Sequence, residues 1–186
     1  MYKHGEVQCL SDHFLPSYVP TLGALLSAQR TVRIIPWKTA RFLLAAVPKP
    51  YKWAPLPSST IEVKLVRDVL VSEGVTEQEW TSNCRVDCFE SATAKDITDA
   101  LPRAEILHLA CHGRQDTHNP LQSGFIMKDR ILNLSDLISL KLPDAFLAFL
   151  SACETAKGDE NQPDQAVHLA ATMMFAGFKS VIGTMW

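Results

Sequence analysis

An excess of charge of either sign is missing from this chain. Its 186 residues carry 18 Lys+Arg against 20 Asp+Glu, a formal net charge of −2. With no lysine or arginine run, the electrostatic footprint of a nucleic-acid or anionic-membrane binder is absent. No apolar stretch approaches the roughly 20 residues of a membrane-spanning helix. The opening Met1-Tyr2-Lys3-His4-Gly5-Glu6 has no apolar core of the signal-peptide kind. The expectation is a cytoplasmic protein with no nucleic-acid and no membrane partner. Phosphate-cradling signatures are lacking too: neither G-x-G-x-x-G nor G-x-x-x-x-G-K-[ST] follows any candidate strand, which weakens a nucleotide-binding reading. Internal repeats, low-complexity tracts and long linkers are also missing. Cysteines number only five, an odd count with several inside apolar runs, which argues against a disulfide framework and for a reducing compartment. Cys84, Cys88, Cys111 and His112 are conceivable zinc ligands, but Cys84-x-x-x-Cys88 falls on a candidate strand with no second paired knuckle. Neither a metal nor an organic cofactor is expected.

What is present is ordinary globular composition, 47% hydrophobic and 20% charged, in a length that suits one domain. From residue 41 onward, short β-rich runs alternate with helical stretches. Residues 41–47 form a continuous apolar run closed by Pro48 and Pro50, the pattern of a strand buried on both faces. A proline-rich loop over 48–57 leads to Ser58 or Ser59 as cap of a helix whose apolar face would be Ile61, Leu65, Val69 and Leu70. Residues 85–89 read as a second strand, and Thr93 starts a helix that faces Ile97 and Leu101 inward. Residues 105–110 and 145–152 read as the third and fourth long strands. Between them lies a hairpin over 123–134 that turns at Lys128-Asp129-Arg130, then a short helix over 135–140. An apolar helix over 165–175 is stopped by Gly177, and 180–186 read as a last strand. Earlier, Pro20 marks a turn into a helix.

This alternation implies an α/β fold with a largely parallel sheet covered on both faces. Chemistry in such sheets gathers beyond the carboxyl ends of the strands. Two apolar runs end there in reactive clusters: Leu107-His108-Leu109-Ala110-Cys111-His112-Gly113, and Phe149-Leu150-Ser151-Ala152-Cys153-Glu154-Thr155-Ala156. A thiol and an imidazole on the ends of adjacent strands are the minimum kit of a cysteine peptidase. Alternation along the strand puts Cys111 on the side opposite His112, as packing. His108 shares the face of His112 but lies deeper, as a hydrogen-bonded core histidine. His168 on the apolar helix is expected to bond within the fold, and Met173 and Met174 to fill the core. Asp116, Asp129 and Glu154 are weak candidates for selecting a basic substrate residue.

The motifs resemble those of the CHAT family, caspase-like domains related to the caspase and separase cysteine peptidases. The resemblance is carried by His108-x-Ala110-Cys111-His112-Gly113, Asn119-Pro120-x-x-Ser123-Gly124 and Leu150-Ser151-Ala152-Cys153-Glu154-Thr155-Ala156. It continues through His168-Leu169-Ala170, Ala176-Gly177-Phe178 and Val181-Ile182-Gly183-Thr184-Met185-Trp186, with Ser17-Tyr18-x-Pro20-Thr21-Leu22 as a lead-in. It implies a three-layer caspase-like fold with a mostly parallel central sheet, residues 1–40 as a lead-in segment and residues 41–186 as the core. It also implies His112 and Cys153 as the catalytic dyad, with the backbone N–H groups of Gly113 and Cys153 as oxyanion donors. The substrate would be a protein or peptide, and helical-repeat regions or other proteins would be partners. Family members continue past the strand ending at Trp186 with a helix, a strand and a pocket-walling loop, so the resemblance implies truncation at the C-terminus. That leaves a second expectation open, an inactive CHAT-type interaction module or fragment.

Overall fold

A computed structural model describes residues 21–29, 35–36, 39–74, 85–116, 118–152 and 168–183. Among them run α1 (Leu22–Gln29), β1 (Arg41–Ala46), α2 (Ser58–Ser72), β2 (Arg85–Phe89), α3 (Ala94–Ala100), β3 (Ile106–Arg114), β4 (Gly124–Ile126), β5 (Ile131–Asn133), α4 (Leu134–Ile138), β6 (Leu147–Ala152), α5 (His168–Ala176) and β7 (Ser180–Gly183). Pro20 and residues 165–167 and 184–186 lie outside the described residues. No helix among those described is long and apolar enough to cross a membrane.

Five strands form a parallel ladder in the order β2–β1–β3–β6–β7. After Arg41, β1 is apolar and buried from Phe42 to Ala46 because both of its faces are covered. One face carries Leu43, Ala45, Leu107, Leu109, Cys111, Ala148, Leu150 and Ala152 into the larger core, under Ile97, Leu134, Leu137, Leu169 and Met173 of the helices α3, α4 and α5. The other face carries Phe42, Leu44, Ala46, Val86 and Ala110 against Val63 of α2. Sheet and helices thus form the three layers of a caspase-like α/β fold, as the alternating pattern implies.

Helix α2 begins where expected but turns a different face to the sheet. Ser59 and Val63 are buried, with Val66 and Leu70 packed beside them, whereas Ile61, Leu65 and Val69 are exposed, Leu65 by 62%. The segment holds two apolar stripes at helical spacing, and the sheet selects the one that also delivers Glu62 to its polar partners. Capping differs as well. Pro57 takes the N-cap position without a side-chain bond, while Ser59 Oγ donates to the Leu56 carbonyl at 2.7 Å. At α3 the expected cap is present: Thr93 Oγ1 accepts from Asp96 N, and the Asp96 carboxylate accepts from Thr93 N.

Strand β3 runs four residues beyond the expected end at Ala110. Past Cys111 it leaves β6 and takes a new antiparallel partner, pairing His112 with Ile126, Gly113 with Phe125 and Arg114 with Gly124. The β4–β5 hairpin that supplies this partner depends on a glycine. A Cβ on Gly124 would stand 2.2 Å from the Leu132 carbonyl oxygen. Helix α5 ends at Gly177, whose φ of +128° suits no L side chain.

Candidate functional site

The chain passes from β1 to β2 on one side and to β3 on the other, so the strand order reverses between β1 and β3. The crevice beyond the carboxyl ends of two such strands is where open α/β sheets bind ligands. At this place the loop over 48–57, following β1, meets His112 near the end of β3. The loop is pinned rather than loose. Leu56 N donates to the Pro48 carbonyl at 2.9 Å and closes its base, and Tyr51 N donates to the carbonyl of buried Met127 at 2.9 Å. Lys52 between them adopts a φ of +56°, a left-handed conformation that the two anchors impose.

This loop presents the Ala54 carbonyl to His112. The ring Nε2 lies 3.0 Å from that oxygen. A carbonyl can only accept, so Nε2 carries a hydrogen, and in the neutral form of the ring the lone pair is on Nδ1. The half-buried imidazole also meets the Trp53 ring, with centroids 5.8 Å apart and planes tilted by 36°. Among the described residues, His112 is therefore oriented by a backbone group and an aromatic ring rather than by a carboxylate.

The second half of the expected pair is approached by register. β6 lies directly beside β3 and parallel to it, with Ala110 opposite Ser151 and Cys111 opposite Ala152. The strand carrying the histidine and the strand leading to the cysteine are therefore neighbours. Cys153 and Glu154 follow Ala152 in sequence and lie outside the described residues. Gly113 is buried within β3 opposite Phe125.

Below His112 on the same face, His108 is buried and stacks flat on Phe149, centroids 4.9 Å apart. Its Nε2 lies 2.9 Å from Glu62 Oε1, and Ser151 Oγ donates to Glu62 Oε2 at 3.0 Å. Burial pushes the His108 pKa below the ordinary histidine value and outweighs the opposing pull of the Glu62 carboxylate. The neutral ring thus donates its Nε2–H to a carboxylate that also binds β6. Cys111 points into the opposite core, fully buried.

The acidic candidates that lie among the described residues have structural partners. Asp116 accepts from the backbone N–H of His118 and Asn119 and pairs with Arg114. These bonds to the charged form, the Asn119 N–H foremost, hold its pKa below the usual carboxylate range. Asp129 Oδ1 accepts from Ala94 N at 2.8 Å, at the first turn of α3. Met173 is buried, and His168 begins α5. Among the described residues no cluster of three His, Cys, Asp or Glu side chains is placed to hold a metal ion.

Ala54, Trp53, Glu62 and Ser151 escaped the sequence reading. A backbone carbonyl has no sequence signature, although the prolines at 48, 50, 55 and 57 announce a stiff loop that can position one. Glu62 reads in sequence as one more solvated helix carboxylate.

No curated protein matches the chain. The sequence profile of the CHAT domain matches it over residues 1–186, its entire length. Together with a mostly parallel, helix-covered sheet that brings the histidine-bearing strand beside the strand preceding Cys153, this match shows that the chain belongs to the CHAT domain family, which is caspase-like in general.

Proposed function

We propose that this domain is a cysteine endopeptidase of the caspase-like type, with Cys153 as nucleophile and His112 as general base and acid. The observation that carries the reading is the bond from His112 Nε2 to the Ala54 carbonyl. It supplies from the backbone what a third side chain supplies elsewhere, a fixed tautomer with Nδ1 free to take a proton. The parallel pairing of β3 with β6 supports it, since β3 carries His112 and the neighbouring β6 ends at Ala152, the residue before Cys153 in sequence.

In the proposed reaction the Cys153 thiol gives its proton to His112 Nδ1, and the thiolate adds to the substrate carbonyl carbon. Negative charge builds on the carbonyl oxygen, for which the backbone N–H groups of Gly113 and Cys153 are the proposed donors. His112 then passes the proton to the leaving nitrogen as the C–N bond breaks, leaving a thioester. Water, deprotonated by the same imidazole, attacks the thioester and releases the carboxylate and the thiol. No metal or organic cofactor takes part in these steps.

Alkylation rates measured cysteine by cysteine with iodoacetamide test the proposal. An activated thiol predicts that Cys153 reacts about tenfold faster than Cys9 and Cys84 near pH 7, and that His112→Ala removes the difference. Equal rates for the three cysteines would count decisively against an activated nucleophile.

A further inference from the structure

Building on that peptidase reading, we propose that Trp53 walls the subsite for the leaving side of the cut bond, and that substrates with an aromatic or branched aliphatic residue immediately after that bond are preferred. Three observations converge on it. First, with Nε2 engaged by Ala54, Nδ1 is the nitrogen that must protonate the leaving amine. Proton transfer requires that amine to come within about 3 Å of the ring, so the residue bearing it sits against His112. The side chain beside His112 then becomes its wall. Second, that side chain is Trp53, whose ring meets the imidazole at 5.8 Å yet remains 38% exposed. An indole that meets the imidazole and still stays this exposed has apolar surface left for a substrate side chain. Tyr51, two residues earlier on the same loop, is 40% exposed and extends the aromatic character of this edge.

Third, the wall is rigid before substrate arrives. The Leu56–Pro48 and Tyr51–Met127 backbone bonds hold the loop at its base and at its middle, and prolines at 48, 50, 55 and 57 restrict the rest. Little ordering is needed when a side chain packs there, so its apolar contact is expressed in the rate. The contact is made only while the leaving peptide is present. Selectivity therefore belongs to acylation and is absent from thioester hydrolysis.

The test uses the full chain and a proteome-derived peptide library, with cleavage sites identified by mass spectrometry and the residue after each cut tabulated. Leu, Ile, Phe, Met and Tyr are expected there about tenfold more often than Asp, Glu or Gly, the discrimination an apolar contact of this size provides. Trp53→Ala should flatten the profile to below about twofold, and Trp53→Phe should keep it. Trp53→Glu should move the preference to Lys and Arg. Each profile is a ratio within one variant, so a smaller folded fraction leaves it unchanged. A flat or acidic profile in the unaltered chain, or a profile indifferent to Trp53→Glu, overturns this inference alone, provided cleavage is lost in Cys153→Ala. Absence of cleavage by the unaltered chain, or cleavage that survives Cys153→Ala, removes the peptidase reading and this inference with it.

Discussion

Glu62 receives hydrogen bonds from two strands at once, His108 of β3 and Ser151 of β6, and so joins α2 to the middle of the sheet. Replacing it by alanine strands the buried Nε2–H of His108, at a cost of about 2 kcal/mol. Glu62→Gln keeps an acceptor for that N–H and is expected to lose only about half as much. Urea unfolding of the two variants checks the order. The same site carries a pH signature. Because burial lowers the His108 pKa, the unfolded chain takes up a proton more readily than the folded one as pH falls below the ordinary histidine value near 6.5. His108 therefore contributes stability that is fully present above about pH 6.5 and is lost as pH falls toward its depressed folded value. Subtracting the stability–pH curve of His108→Phe from that of the unaltered chain should leave this slope, positive with pH, whatever the other histidines do. A difference curve that is flat between pH 7 and 5 would show that His108 titrates alike in both states.

At the scale of elements, α2 teaches most. Two stripes compete on it, and the buried one contains a serine and a glutamate, which a count of apolar residues ranks below Ile61, Leu65 and Val69. Val63→Ala should therefore cost about 2 kcal/mol, as removal of buried methyl groups does. Leu65→Ala should fall within about 0.5 kcal/mol of zero despite removing a larger side chain. Chemical denaturation of both decides which face the helix buries. Helix α3 was legible because its cap is local: Thr93 and Asp96 are three residues apart and bond each other. Chiefly the Thr93 hydroxyl, against a smaller penalty from burial, holds the Asp96 pKa below the usual carboxylate value. Thr93→Ala should cost about 1 kcal/mol at neutral pH. Asp96 contributes stability present above about pH 4, its unfolded range, and lost as pH falls through its lower folded value, so the penalty of Thr93→Ala should shrink in acid.

At the scale of the whole molecule, the sheet separates two cores that share no side chain among the described residues. Leu137→Ala in the larger core is expected to cost about 3 kcal/mol, and combining it with Val63→Ala on the other face should add within about 0.5 kcal/mol. A larger coupling in the double-mutant cycle would mean that the sheet transmits repacking from one face to the other. The sequence by itself determined the parts whose cause is local or periodic. Continuous apolar runs mark strands covered on both sides, Gly177 stops α5, Thr93 starts α3, and the alternation of strand and helix forces a parallel sheet. It also pointed to the end of β3, where the apolar run closes on His112, as the edge at which such sheets work. Tertiary structure alone decided what depends on residues far apart in the chain meeting in space. The Ala54 carbonyl reaches His112 across 58 positions, and Ser151 reaches Glu62 across 89. β3 outruns its apolar run because β4 arrives to pair with it. The outward stripe of α2 is the same case: a helix has no inside until the sheet beneath it offers partners, and here the partners on offer were polar as well as apolar.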